Sequence, residues 1–357
     1  MNLDALRKRI DELDAELVRL LNARAETARD IGRLKEGAGA SVYVPAREQA
    51  VLDRVCGLNE GPLPEASIRA VYREIVSAST ALEHEVRIAY LGPPATFTHE
   101  AARARFGASV AYRPCETIAD VFAQVEKRSA EYGVVPIENS TEGAVTHTLD
   151  RFVETPLKIC AEIYLPIAHH LLARGPRAGL RRVYSNPQVF GQCRHWLQEH
   201  LRGVDQVPVS STARAAEQAA SEADAGALAS LLAAELYGLE VLERDIQDLG
   251  GNTTRFLVIA PAYGPPSGKD RTSLLFGVRD RAGALYQALA AFNKAGISMS
   301  KIESRPSRRK VWEYWFFVDI EGHADEPAVR AALEKLGAHC TTLTVLGSYP
   351  RAVGREG

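Results

Sequence analysis

The chain has no apolar run approaching the length of a membrane span. Its first residues, MNLDALRKRIDELDAEL, lack the apolar core of a signal peptide. A cytoplasmic protein with no membrane partner is expected. An excess of one charge is also missing. Against 43 Lys and Arg stand 45 Asp and Glu, a formal net charge of -2 over 357 residues. No global field therefore draws the chain toward nucleic acid, and local arginines and lysines must hold any anionic ligand. Cysteine is sparse: Cys56, Cys115, Cys160, Cys193 and Cys340 are odd in number and scattered, with no C-x-x-C pair. That argues against a disulfide framework or a zinc site and fits a reducing compartment. A catalytic thiol at Cys115 or Cys193 is the chemistry left open to them. No low-complexity tract interrupts the chain.

What is present is ordinary globular composition, 46% hydrophobic and 25% charged, in a chain too long for one typical core. Two or three domains are expected, and three rhythms mark them. Residues 1 to 85 read as helix throughout. Leu3, Leu6, Ile10, Leu13, Leu17, Leu20, Ile31 and Leu34 follow an alternating three-four spacing, a heptad seam in which positions 24 and 27 are Arg24 and Thr27. EGPLPEAS (60 to 67) separates a second helix from a third. From Val86, short apolar strands alternate with helical stretches, and a second such block runs from about 166 to 244, which predicts α/β layers with parallel strands. The chain then returns through 246 to 260, so two lobes with a cleft between them are expected. After a Pro/Gly-rich linker, PAYGPPSGKDR (261 to 271), the order reads βαββαβ, the ferredoxin-like arrangement.

An arginine in a heptad seam costs stability unless it sets register or meets an anion. Arg24 and Lys35, 11 residues apart, share a helix face to within about 20°, roughly 16 Å along the axis. Long side chains leaning together there could grip one dicarboxylate. Ser79 and Glu83 form a polar i,i+4 pair on the third helix. Singly, each of these residues reads as surface charge or a solvated helix end. Together, LRKRIDELDAELVRLLNARAETARDIGRLK, PAREQAVLDRV and YREIVSASTALE resemble the all-helical chorismate mutases across residues 1 to 85. The resemblance implies a pocket lined by Arg24, Lys35, Arg47, Glu48, Ser79 and Glu83, with Arg7 entering from a second, interlocked chain. Val44 stands where some relatives carry aspartate and implies a backbone contact only. Such a site needs neither nucleophile nor metal. It folds an extended dianion into its reactive chair and stabilises charge on the ether oxygen. Lys35 and Glu83 are the implied donors to that oxygen, Glu83 only when protonated.

DLGGNTTRFLVIAP (248 to 261) places Thr253, Thr254 and Arg255 at the mouth of a strongly apolar strand. They cap and solvate the strand end, or they form a site. AYLGPPATFTHEAA (89 to 102), YGVVPIENSTEGAVTHTLD (132 to 150), VYSNPQVFGQC (183 to 193) and LAAELYGLEVL (232 to 242) decide between these. In this order they resemble the prephenate dehydratase domain over about 86 to 262, a two-lobed α/β fold similar to periplasmic binding proteins. The resemblance implies that Thr254 assists the departing hydroxide, that Arg255 holds the charged substrate, and that Phe256 keeps the site dry. Asn139, Ser140 and Thr141 are expected to line the facing lobe, with Thr96 and Phe97 beside them and no metal or cofactor required. Pro94-Ala95 stands where relatives usually carry Glu-Gly, and Asn186 replaces a frequent histidine.

Residues 270 to 350 resemble the ACT domain, a small regulatory module, through GALY (283 to 286) and ESRP (303 to 306). That implies a phenylalanine site at Gly283, Ala284, Leu285, Glu303, Ser304, Arg305 and Pro306, formed between paired ACT domains. The order of the three resemblances implies a bifunctional chorismate mutase–prephenate dehydratase. Chorismate and prephenate would be its substrates, phenylalanine its effector and a homodimer or larger homo-oligomer its assembly. Two alternatives stand beside it: a catalytically silent amino-acid sensor, and a dehydratase preferring arogenate.

Overall fold

Thirty-six consecutive residues, Leu3–Ala38, form one helix, α1. Helices α2 (Pro45–Gly57) and α3 (Glu65–Glu83) follow, α2 opening on a proline whose missing N–H is of no consequence at a helix start. The computed structural model describes residues 2–38, 45–83, 85–307 and 314–352, with side chains except at 35–38, 45 and 46. Two units divide the chain, one of Met1–Arg87 and Arg103–Ala111, the other of Ile88–Ala102 and Tyr112–Gly357. In the first unit α1 runs along α3, and Gly32 makes the close approach possible. A Cβ there would lie 2.9 Å from Cγ of Glu83. The heptad seam itself is left open: Leu3, Ile10 and Leu17 are 62%, 57% and 55% exposed.

After α3 comes a sheet of β1 (Arg87–Leu91), β2 (Ala111–Cys115), β3 (Tyr132–Asn139), β4 (Gly143–Ala144) and β5 (Lys158–Pro166), with helices α4 (Phe97–Phe106), α5 (Ile118–Glu126) and α6 (Thr146–Phe152) between strands, most of it in the second unit. The chain then crosses to a second lobe. Its strands are β6 (His170–Ala173), β7 (Arg182–Ser185), β8 (Asp205–Pro208), β9 (Ala225–Ala229) and β10 (Glu240–Glu243). Its helices are α7 (Pro187–Gln192), α8 (Arg194–His200), α9 (Thr212–Ala219) and α10 (Leu231–Tyr237). The chain returns through β11 (Thr253–Ala260), which enters the first sheet between β3 and β5.

The expected parallel strands are present, but that return makes the sheets mixed. β1 pairs with β3 and β7 with β8 and β9 in parallel, but β11 runs antiparallel to both β3 and β5, and β6 antiparallel to β9 and β10. A strand that re-enters a lobe from the opposite end must run against its neighbours, which helical periodicity between strands does not reveal.

The last segment is β12 (Asp270–Gly277), α11 (Ala284–Ala295), β13 (Met299–Pro306), β14 (Tyr314–Glu321), α12 (Pro327–Gly337) and β15 (Thr342–Pro350), the βαββαβ order expected. Its sheet, ordered β13-β14-β12-β15, carries α11 and α12 on one face. The other face shares one apolar core with the first lobe: Val135, Ile137, Ile159, Leu257 and Ile259 pack with Leu275, Phe317 and Leu346. The backbones meet most closely at Gly347, where a Cβ would collide with the Ile159 carbonyl.

Candidate active sites

In the first unit α1 and α3 bring Arg24 and Ser79 together. Arg24 Nη1 donates to Ser79 Oγ at 2.7 Å, and that hydroxyl donates to the Ile75 carbonyl at 2.7 Å. Glu83, one turn beyond Ser79, packs on Gly32. Glu48 on α2 is buried and paired with Arg105 at 3.1 Å, a partner outside the segment whose pattern suggested a site. Arg47 is exposed. Val44 and the side chain of Lys35 lie outside the described residues. Arg7 is exposed near the start of α1, beside Asp4 at 3.7 Å. Seventeen residues at 1.5 Å each put it about 25 Å along the axis from Arg24, out of reach within one chain.

Between the lobes of the second unit lies a cavity of about 310 Å³. Thr96, Phe97, Asn139, Thr254 and Phe256 line it from the first lobe, and Asn186, Gln188, Ser210, Ser211 and Thr212 from the second. A second cavity of about 560 Å³ adjoins it and shares Glu142, His169, Gln188, Gln192 and Asn252. The register of β3 and β11 sets Asn139 opposite Thr254. Asn139 Oδ1 accepts from the backbone N–H groups of Thr141 (3.0 Å) and Glu142 (3.1 Å), so the amide orientation is fixed by its neighbours. Its Nδ2 must therefore face the other way, donating to Asn252 Oδ1 and to Thr254 Oγ1, both at 2.8 Å. A threonine oxygen that already accepts keeps its own O–H to give.

Helix starts surround the same cavity. The Thr96 hydroxyl accepts from the His99 N–H at 3.3 Å before α4, and Ser211 caps α9 by accepting from the Arg214 N–H at 3.1 Å. Unpaired N–H groups at such ends favour a carboxylate. Ala95, in the Pro94-Ala95 departure, holds φ at +68° and stays in the left-handed region where a glycine would be at ease. Asn186 caps α7 through the Gln188 N–H at 3.0 Å and donates to the Ser210 carbonyl at 3.2 Å.

His169 is 2% exposed and touches both cavities. Its Nε2 lies 2.9 Å from Gln192 Oε1, within hydrogen-bond distance. Burial pushes His169 below its ordinary value, against the pull of the Gln192 bond, and burial does the same to His170. As pH falls below the unfolded value of about 6.5, the unfolded chain takes up these protons first and gains on the folded one. Thermal unfolding of this unit is therefore expected at a lower temperature at pH 5 than at pH 7.5, with about 2–4 °C for each kcal/mol lost. The double variant His169→Gln/His170→Asn keeps a hydrogen-bond partner for Gln192 and an acceptor for the Asp245 N–H, and it should flatten that decline. An equal decline in the variant would assign the effect to other groups.

Several expected site residues are placed elsewhere. Arg255 does not reach the cavity. Side chains alternate along a strand, so Thr254 and Phe256 face the cleft while Arg255 and Leu257 face the C-terminal sheet. Arg255 is 4% exposed and bonded to Glu162, Asp319 and Tyr349. Among the described residues no lysine or arginine lines the 310 Å³ cavity. Ser140 is turned from it as well, its hydroxyl accepting from the Thr253 N–H at 3.0 Å, while Thr141 borders the neighbouring cavity. Neither Cys115 nor Cys193 is a thiolate: burial raises both, Cys193 to about 12.

The ESRP stretch also divides. Ser304 pairs with Phe316, on the face that carries the helices, and is exposed. Glu303 pairs with Phe317 and Arg305 with Trp315, on the face toward the first lobe. Arg305 Nη2 there grips Asp150 at 3.0 and 3.1 Å, so it is removed from a ligand on the helix face. Gly283 caps α11 at φ +76° with open space where a Cβ would be, while the Ala284 N–H donates to the Arg281 carbonyl at 3.1 Å. His169, Gln192, Asn252 and the Ser210-Ser211-Thr212 run escaped the sequence reading. Only the last carries a signal, that of a helix cap before an alanine-rich helix.

Comparison with known proteins puts names to these parts. Family models match as Chorismate mutase type II over 6–84, Prephenate dehydratase over 88–263 and ACT domain over 272–338. The bifunctional chorismate mutase/prephenate dehydratase of Aquifex aeolicus (strain VF5) is 49% identical over 359 residues, 99% of each chain. Among solved structures, the prephenate dehydratase of Arthrobacter aurescens in complex with L-Phe superposes with a TM-score of 0.69. It is 36% identical and covers 75% of this chain and 90% of its own. GqqA, described as a novel type of quorum quenching acylase, reaches the same TM-score of 0.69 at 34% identity, covering 76% of this chain and 99% of its own. With all three segments matched in order and full-length relatives this similar, the chain belongs to the bifunctional chorismate mutase/prephenate dehydratase family and is an enzyme with both catalytic domains and a regulatory ACT domain.

Proposed function

We propose that residues 1–85 rearrange chorismate to prephenate, that residues 86–262 convert prephenate to phenylpyruvate, and that phenylalanine bound by residues 270–350 restrains the second reaction. The observation that carries the dehydratase reading is the Asn139–Thr254 pair facing the cavity between the lobes. In the dehydratase step the bond from ring to carboxylate breaks and carbon dioxide leaves. Its electron pair enters the ring, and the ring expels hydroxide as it becomes aromatic; one proton is taken up to make water. Asn139 supports this by directing the Thr254 O–H toward the departing oxygen, a donor aimed at charge that appears only in the transition state. Helix starts at α4 and α9, with the hydroxyls of Ser210 and Thr212, would hold the substrate carboxylates in place of Arg255.

For the mutase, Arg24 would clamp a carboxylate of chorismate, with Lys35, Arg47, Glu48, Ser79 and Glu83 around it. A second copy of the chain, laid along the exposed Leu3–Leu20 seam of α1, would bring Arg7 to the pocket it cannot reach in its own chain. The assembly is thus at least a homodimer, working in the cytoplasm. Purified protein given chorismate should form prephenate and then phenylpyruvate. Prephenate that accumulates with no phenylpyruvate would leave only the first activity. Matched rates on arogenate and prephenate would widen the substrate.

The phenylalanine site would lie at Gly283, Ala284, Leu285 and Ser304, on the helix-bearing face of the C-terminal sheet. Ser304→Tyr places a ring on that exposed face without touching the core. It should raise the half-inhibiting phenylalanine concentration at least tenfold with both uninhibited rates kept, because an effector acts only through differential binding to two states. Unchanged inhibition would move the ligand elsewhere.

A further inference from the structure

Arg255 joins the strand of Thr254 directly to two of the four strands of the C-terminal sheet, and through Ser273 to a third. Its Nε donates to Glu162 Oε2 at 2.9 Å, its Nη1 to Asp319 Oδ2 at 2.5 Å on β14, and its Nη2 to the Tyr349 hydroxyl at 2.9 Å on β15. Ser273 on β12 closes the ring: its O–H donates to Asp319 Oδ1 at 2.5 Å, so the Tyr349 O–H must donate to Ser273 Oγ at 2.6 Å. Glu162 also accepts from Arg271 of β12, making two cations for two carboxylates. Burial works against both charges, yet the partners prevail. Arg255 holds its proton more firmly than usual through Tyr349, Asp319 and Glu162, and Asp319 is held below its ordinary value by Arg255 and Ser273. Every Arg255, Asp319, Ser273 and Tyr349 contact in this buried ring is directional, so it has one good geometry and resists small shifts.

Two further ion pairs cross from the same sheet to the first lobe, one to strand β3 and one to helix α6. Lys301 meets Glu138, the residue before Asn139, at 2.8 Å, and Arg305 grips Asp150 on α6. Both lie on β13, whose exposed face carries Ser304. The backbone neighbours of Thr254 and Asn139, the two groups that set the O–H direction, are thus each tied to the C-terminal sheet.

We propose that Arg255 is a positioning residue that never touches substrate, and that its ring with Asp319, Tyr349 and Ser273 carries the state of the ACT sheet to Thr254. This rests on the reading of Thr254 as donor and phenylalanine as effector. A ligand that shifts β12, β14 or β15 by a few tenths of an ångström must either break the ring or drag β11 with it. Dragging β11 turns the Thr254–Asn139 pair out of line. The coupling element is a packed, bistable contact between two sheets.

Three full-length variants test it: Arg255→Lys, Asp319→Asn and Tyr349→Phe. Each is assayed for prephenate kcat and KM, for mutase rate, and for residual dehydratase rate at phenylalanine concentrations shown by calorimetry to saturate that protein. Arg255→Lys should lower kcat at least tenfold with KM moved less than about threefold. A tenfold rise in KM at near-parent kcat would return Arg255 to the substrate and overturn the proposal. Tyr349→Phe removes one hydroxyl, keeps both ion pairs and is the variant most certain to fold. It should bind phenylalanine yet retain at least half its uninhibited rate when saturated, with Asp319→Asn retaining more. Tyr349→Phe inhibited as deeply as the parent would sink the relay. A parent that phenylalanine does not inhibit, or an active Thr254→Val, would instead fault the underlying reading, so the two failures are distinct.

Discussion

Thr254→Val should lower dehydratase kcat by ~10²–10⁴-fold, the usual contribution of one well-placed acid or donor, and leave the mutase rate within about twofold of the parent. Valine matches threonine in shape, so β11 keeps its packing and its register against Asn139. Asn139 Nδ2 loses one acceptor but keeps Asn252 Oδ1, so no buried donor is stranded. What disappears is the O–H directed at the departing oxygen, an interaction made only in the transition state, so KM for prephenate should change far less than kcat. Single-turnover measurement separates this step from product release. A Thr254→Val enzyme within threefold of the parent would remove the hydroxyl from the mechanism. Asn139→Asp is a milder companion. It leaves the turn N–H groups satisfied but puts an acceptor against Thr254, whose O–H would then go to the introduced carboxylate instead of to substrate.

The reciprocal expectation belongs to the first unit. Arg24→Met keeps the length and apolar stem of the side chain and removes the guanidinium that faces Ser79 at 2.7 Å. Mutase kcat/KM should fall by ~10²–10³-fold or more, the range for deleting one charged donor preorganised toward a reacting anion, with dehydratase activity on supplied prephenate unchanged. The loss should be divided between KM and kcat. The arginine clamps a carboxylate in the ground state and also holds the chair in which the ether oxygen gathers charge. Ser79 keeps its bond to the Ile75 carbonyl, so the helix pair is not expected to unfold; circular dichroism melts of the two proteins check this. A variant with parent-like mutase activity would exclude Arg24 as the clamp.

The two losses should be independent, because each is confined to its own chemistry. Mixing the two variants, each dead in one reaction, should restore conversion of chorismate to phenylpyruvate through free prephenate.

Much of this protein is legible in the order of its residues, and the reason is local periodicity. The three-four spacing from Leu3 to Leu34 specifies one long helix with an apolar seam, and strand and helix alternate visibly from Val86 onward. The βαββαβ order of the last segment follows from the same rule. Asn139 and Thr254 are legible by another route, the resemblance that PIENSTEG and TTRF, in that order, carry to the prephenate dehydratase domain. Local pattern also says that Thr254 and Arg255 face opposite ways, since a strand reverses its side chains at every residue. It does not say which way is the cleft. That depended on β11 returning antiparallel between β3 and β5, and on a second sheet covering its far face. Only then did the motif's arginine become a buried partner of Asp319 and Tyr349, 64 and 94 residues away in sequence. Pairings such as Arg305 with Asp150 and Glu48 with Arg105 belong to the same class. A charge on a strand or helix can be read from sequence, but its partner is chosen by which surfaces the apolar faces bury together, and that choice exists only in the folded chain.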